Sequence, residues 1–208
     1  MDIQGLTDEG LRSVLTDRFE GKVSACSDEA LFEETRRRAD LGSRDMMFLL
    51  GTLYHMGIGT EEDQDAADTA WVSSFEDEVE GLEAVAGSRY RGTPGPDLRR
   101  AGDLYCRASD RGGSDDLMMM AADCYLAEYM STKDPEAGAL AFGCYRYCFP
   151  DYSRSARCLA ICYMYGIGTG VSFRDAEEMI RISEAEGLDT FDLRLQLSEE
   201  SKRGYYFP

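Results

Sequence analysis

The sequence predicts an all-α protein in which about five helical hairpins stack side by side and a last helix closes the pile. Three observations carry this. Tyrosine returns at Tyr54, Tyr90, Tyr125 and Tyr163, at intervals of 36, 35 and 38 residues. A small residue stands three positions before each, at Gly51, Gly87, Ala122 and Ala160, which puts a tiny side chain and a ring on one helical face. An alanine follows each tyrosine at Ala66, Ala101, Ala137 and Ala176, offsets of 12, 11, 12 and 13. A period of this length marks a helical pair that cannot bury its apolar face alone.

The first helix is expected to start behind Thr7, whose hydroxyl can cap a first turn containing Asp8 and Glu9, and to end near Gly21. A second follows Ser27 and runs to about Gly42. The third spans Arg44 to Met56 and stops at Gly57-Ile58-Gly59-Thr60, where glycine permits a left-handed close. Glu61-Glu62-Asp63 opens the fourth, which carries Ala66, Ala67, Ala70 and the only tryptophan, Trp71. Gly92-Thr93-Pro94-Gly95-Pro96-Asp97 has the composition of an interdomain linker. The unbroken tyrosine register across it makes it the turn inside a hairpin instead. Helices are then expected from Leu98 to Asp110, from Asp115 to Met130, from Pro135 behind the cap Asp134, from Asp151 to Tyr165 and from Phe173 to Glu186. The last helix, Thr190 to Lys202, has Gln196 and Glu199 where the small residue and tyrosine would stand, so it reads as a cap with a polar outer face.

The chain of 208 residues carries a net charge of −18. That is too little per residue to prevent folding, but it repels nucleic acid and anionic membrane. The longest apolar stretch, Met46 to Tyr54, is well short of the roughly 20 residues that span a bilayer. An amino terminus with an acid at position 2 lacks a secretory pattern, so the expected location is cytoplasmic.

Seven cysteines cannot all pair within the chain. Cys144 and Cys148, then Cys158 and Cys162, sit at i, i+4 spacing. They read first as reduced core residues, with a disulfide staple between helices or a thiolate metal site as the other readings. His55 is the sole histidine, which excludes any site needing two imidazoles. The two Gly-Ile-Gly-Thr loops follow no strand and precede acids rather than lysine, so they are not phosphate cradles. Glu61 to Asp65 lacks the glycine and distal acid of a calcium loop and reads as a solvated helix start. Met118-Met119-Met120 must send at least one side chain to the core, and the rest are open to a contact role. No cofactor is expected.

Leu50-Gly51-Thr52-Leu53-Tyr54-His55-Met56-Gly57-Ile58-Gly59-Thr60 with Asp65-Ala66-Ala67 and Trp71 resembles the Sel-one-like repeat, a relative of the tetratricopeptide hairpin. Ala160 to Thr169 with Asp175-Ala176 resembles it equally. The units around Tyr90 and Tyr125 match less closely, because Arg91-Gly92-Thr93-Pro94 and Leu126-Ala127-Glu128-Tyr129 replace the glycine loop. The amino-terminal hairpin matches only through Phe19 and Gly21. The resemblance covers residues 5–188 and implies one right-handed superhelical α/α solenoid domain, with 189–208 as its capping helix and aromatic tail. It further implies that the four rings occupy equivalent niches and that the first helix of each hairpin lines a concave groove.

On that register the groove would hold Phe48, Thr52 and His55; Ala84, Ser88 and Arg91; Met119, Asp123 and Leu126; and Arg157, Ile161 and Met164. Such a mixed surface suits a protein or peptide, and the acidic excess favours a basic one. The resulting expectation is a non-catalytic adaptor. The resemblance also brings an enzymatic alternative, since some cysteine-rich members are linked to β-lactam binding or cleavage. Their cysteines keep step with the repeat, and these do not. A further reading is self-association through the tail Tyr205-Tyr206-Phe207-Pro208.

Overall fold

The computed structural model describes residues 3–22, 26–92, 97–149 and 151–204. Among them are eleven α-helices and no strand: α1 (Asp8–Phe19), α2 (Asp28–Asp40), α3 (Arg44–Met56), α4 (Gln64–Ser73), α5 (Glu78–Arg91), α6 (Leu98–Asp110), α7 (Asp115–Thr132), α8 (Pro135–Cys148), α9 (Ser153–Tyr165), α10 (Phe173–Ala185) and α11 (Phe191–Gly204). The protein is all-α. Its contacts gather into two compact units, residues 1–85 and 86–208, divided inside α5. The turn at Thr93–Pro96 and the tail Tyr205–Pro208 lie outside the described residues.

Helix starts are fixed by local chemistry. Thr7, Ser27, Asp63, Asp97, Asp134 and Ser172 each accept a hydrogen bond from a backbone N–H in the first turn that follows. This satisfies donors that no carbonyl of the helix can reach. Asp63, in the acidic run read from the sequence as a solvated helix start, accepts in this way from the N–H groups of Asp65 and Ala66.

In the first unit α3 packs against α2 and α4, and α1 also rests on α3. Leu11, Leu15, Leu31, Phe32, Met46, Leu50, Leu53 and Ile58 form its core. Arg38 is buried beside them, and its guanidinium joins Glu34, Asp8 and the carbonyls of Ile3 and Leu6. The amino-terminal segment is thereby tied to α2. Arg37 and Arg38 hold the Glu34 carboxyl well below its usual range, at about 2, with the Arg37 hydrogen bond the largest cause.

In the second unit successive helices pack from α6 through α10, and α11 rests on α9 and α10. Its core is rich in small residues, among them Ala101, Ala108, Ala121, Ala122, Ala137, Ala141 and Ala160. Helices whose facing positions are this small approach closely. At Gly102 an added Cβ would lie 2.6 Å from the Tyr125 ring.

The two Gly-Ile-Gly-Thr loops have the same construction. Gly57 and Gly166 end α3 and α9 in the left-handed region, at φ 64° and 68°. Ile58 and Ile167 turn inward, and their N–H groups return to Leu53 and Cys162 at 3.0 and 2.9 Å. Gly59 and Gly168 are pressed onto the first turn of α2 and α8. A Cβ there would meet the Asp28 or the Gly138 carbonyl oxygen at 2.2 Å. These glycines serve packing.

The four tyrosines do not share one environment. Tyr54 meets Phe32 edge to face at 5.2 Å, and Tyr163 meets Phe142 in the same way at 5.4 Å. Each of those phenylalanines also carries an arginine one turn on, Arg36 or Arg146, over its ring. Tyr125 is buried instead against Gly102, with its hydroxyl donating to Asp103 at 2.7 Å and the Arg99 guanidinium over its face. Tyr90 is 47% exposed. The expectation of equivalent niches therefore holds for two rings and fails for the others. The position 22 residues before Tyr90 is Asp68, where Tyr54 has Phe32, and no glycine loop follows Tyr90.

Candidate functional site

The residues expected to line a groove fall in both units, and the structure separates them by role. On α3, Phe48, Thr52 and His55 stand on one helical stripe. Phe48 is 53% exposed, His55 is exposed and Thr52 is half-buried. Trp71 of α4 completes this patch. Its indole lies across Gly51, where an added Cβ would be 2.5 Å from the ring, and its N–H donates to the Phe48 carbonyl at 3.1 Å. The His55 ring sits 5.5 Å from the indole, and its Nδ1 hydrogen bonds to Gln64 Oε1 at 2.8 Å. The patch is rigid because glycine admits the indole and the indole then fixes its neighbours.

On the amino-terminal turns of the second unit, Ser88 and Arg91 are exposed on α5. Two methionines are not surface residues at all. Met119 is 4% exposed and Met164 is 2% exposed, so both belong to the core and are withdrawn from the groove. The reason is register: Met118 and Met119 turn inward together, and Met120 is the member of that trio that faces solvent, at 39%.

Asp123 is half-buried and engaged, accepting the Tyr145 hydroxyl at 2.7 Å and the Arg154 guanidinium at 2.6 Å. Burial pushes the Tyr145 hydroxyl pKa up, which keeps it a neutral donor. Leu126 is half-buried on the same helix. On α9, Arg157 reaches α11, donating to Asp192 at 2.8 Å and to the Asp189 carbonyl. Ile161 packs against the cluster of Ala160, Ala176, Ile180 and Leu193. The last groove position is thus taken up by the protein's own final helix. That helix shows Phe191 and Leu195 to solvent one turn apart, so its outer face is not the wholly polar surface expected of a cap.

Sequence reasoning passed over Trp71 as a surface residue and missed Arg154 and Tyr145. Trp71 was legible in principle, since a small residue at Gly51 invites a large one opposite. Tyr145 carried no periodic signal.

None of the seven cysteines is in a disulfide, so the staple of Cys144 and Cys148 with Cys158 and Cys162 is not formed. Among the described residues, no three His, Cys, Asp or Glu side chains converge as a metal site, and no helix is long and apolar enough to cross a membrane.

No family model and no curated protein matches the sequence. Solved structures are similar to the chain, two of them as follows. One is a Sel1 repeat protein from Oxalobacter formigenes, 19% identical over 88% of this chain and 74% of that one, with a TM-score of 0.42. The other is a protective antigen present in uropathogenic Escherichia coli strains and displaying an SLR fold, 16% identical over 97% of this chain, with a TM-score of 0.34. This chain spans 50% of that antigen's length. The all-α hairpin architecture rests on the helices and loops described above.

Proposed function

We propose that the protein is a non-catalytic Sel-one-like repeat scaffold that takes a basic protein or peptide segment on the exposed stripes of its first-in-hairpin helices. The observation that carries this is the α3 patch: Phe48 stands out at 53% exposure beside His55, held in place by an indole locked onto Gly51. An exposed aromatic on a fixed platform loses little entropy when covered, which is the character of a binding anchor. The net charge of −18 favours a cationic partner through its rate of encounter.

A continuous groove requires four equivalent tyrosines, and only Tyr54 and Tyr163 share an environment. The reading now rests on the individual surfaces, with Phe48, Thr52 and His55 first and Ser88, Arg91, Asp123 and Leu126 as further stations. A scaffold role also agrees with His55 being committed to Trp71 and Gln64 rather than to a nucleophile.

The test is crosslinking with mass spectrometry in the native host to identify the partner, followed by affinity measurement with purified components. Phe48→Glu should weaken binding at least ten-fold, and added salt should slow association. Unchanged affinity in Phe48→Glu and Leu126→Glu proteins of parental helicity would overturn the proposal.

A further inference from the structure

In the second unit the Cys106 sulfur lies within about 4 Å of a sulfur on each of the next two helices. Cys106 of α6 lies 4.0 Å from the Cys144 sulfur of α8 and 3.9 Å from the Met118 thioether of α7. We infer that Cys106, Cys144 and Met118 form a binding site for a soft monovalent metal ion, Cu(I) or its analogue Ag(I), in trigonal sulfur coordination.

The distances carry the argument. An ion at the centre of a triangle of sulfurs with sides of about 4 Å lies roughly 2.3 Å from each corner, which is the usual metal–thiolate length. Both sides that meet at Cys106 already have that value. The third side is set by the Met118 thioether, whose unbranched chain has the torsional freedom to close it.

The donor set selects the ion. Two thiolates and a thioether are soft ligands, which favour Cu(I). Zinc would need further nitrogen, oxygen or thiolate donors, and no group of three such residues converges among the described residues. The Tyr125 hydroxyl, 3.6 Å from the Cys106 sulfur, donates to Asp103.

Binding M⁺ releases one proton from each thiol and leaves the site with one negative charge. Met118 is buried and both thiols are partly so, which limits access of water and oxidant to a bound ion.

The experiment is an anaerobic titration of the full chain against Cu(I) held by bicinchoninate, with copper transfer followed by the loss of chelate colour. The parent should withdraw one equivalent. Cys106→Ser and Cys144→Ser should each lower the affinity at least 100-fold and Met118→Leu about ten-fold, while Cys26→Ser and Cys162→Ala leave it unchanged. X-ray absorption should count three sulfurs in the parent and two in Met118→Leu. Alkylation mapping of the parent needs no variant to fold: Cu(I) should shield Cys106 and Cys144 and leave Cys26 reactive. No copper withdrawn by the parent, withdrawal undiminished in the Cys106→Ser, Cys144→Ser double variant, or no shielding of those two thiols would each overturn the assignment.

Discussion

Substituting Gly59 by alanine tests whether the glycine loops are packing devices. The backbone there has φ 72°, and an added methyl would sit 2.2 Å from the Asp28 carbonyl oxygen, 2.6 Å from its carbon and 2.8 Å from Phe32 Cβ. Two penalties combine: left-handed backbone strain of about 1–2 kcal/mol and overpacking of about 1–3 kcal/mol. Gly42 separates them. Its φ is 94°, and nothing lies within 4 Å of an added Cβ, so Gly42→Ala meets only the first penalty. Gly168 and Gly112 form the same contrast in the second unit, since Gly168 faces the Gly138 carbonyl at 2.2 Å and Gly112 faces open space. Urea unfolding followed by circular dichroism should show Gly59→Ala and Gly168→Ala losing about 2–5 kcal/mol, a midpoint shift of about 1–2 M, with Gly42→Ala and Gly112→Ala losing about 1–2 kcal/mol. Amide exchange in the first turn of α2 should rise in Gly59→Ala alone. If each contacting glycine behaves like its open counterpart, the loops do not bear on the neighbouring helices and the argument fails.

Double-mutant cycles on Phe32 with Tyr54 and on Phe142 with Tyr163, each truncated to leucine, should give coupling of about 0.5–1.5 kcal/mol in both units; coupling in only one would break their equivalence. Glu34 has a folded pKa of about 2 against an ordinary 4.5, so its contribution is present at neutral pH and is lost as pH falls through that window. Glu34→Gln should therefore be less stable than the parent by roughly 2–3 kcal/mol at pH 6 and nearly equal to it at pH 2, and a gap independent of pH would count against the Arg37 and Arg38 pairing. Tyr145→Phe removes a buried donor to Asp123 and should cost about 1.5–3 kcal/mol by thermal or urea melts, whereas Tyr147→Phe, at an exposed position, should stay within about 0.5 kcal/mol.

What the sequence disclosed was what neighbours along the chain decide. The helices at Arg44–Met56 and Leu98–Asp110 stand where expected because a capping side chain or a terminal glycine acts within four residues of its own position. Contacts between hairpins were out of reach. Cys144 was paired by spacing with residues of α9, yet its sulfur meets Cys106 on α6, 38 residues earlier. Met119 and Met164 were placed on a surface by counting from one small residue, but a helix of this kind buries more than one stripe when it has helices on both sides. One signal in the sequence does repeat with the packing: Phe32 with Arg36 and Phe142 with Arg146 place a phenylalanine and an arginine at i, i+4, 22 and 21 residues ahead of the tyrosines they support.

The repeat conserves an interval and leaves its conformation free. Tyr54 is separated from the buried Ala67 by 13 residues, and Tyr125 from the buried Ala137 by 12. The first interval is crossed by a helix of 13 residues that stops at Met56 and a loop that folds back against α2. In the second, α7 runs for 18 residues to Thr132, and only Lys133 and Asp134 separate it from α8. Lys133 there takes the left-handed conformation, φ 61°, that glycine takes at Gly57, and its amine lies over the Tyr129 ring at 5.2 Å. The five additional helical residues advance the chain by about 7.5 Å, so the longer α7 trades the loop's reach for rise along its own axis. What must be kept is the arrival of a buried alanine opposite the helix that bears the tyrosine, and both Ala67 in the loop-bearing hairpin and Ala137 in the other are fully buried. The weak resemblance of the Tyr125 repeat to the loop-bearing ones follows from this: its chain brings a buried alanine to the next helix without the glycines that make the pattern visible.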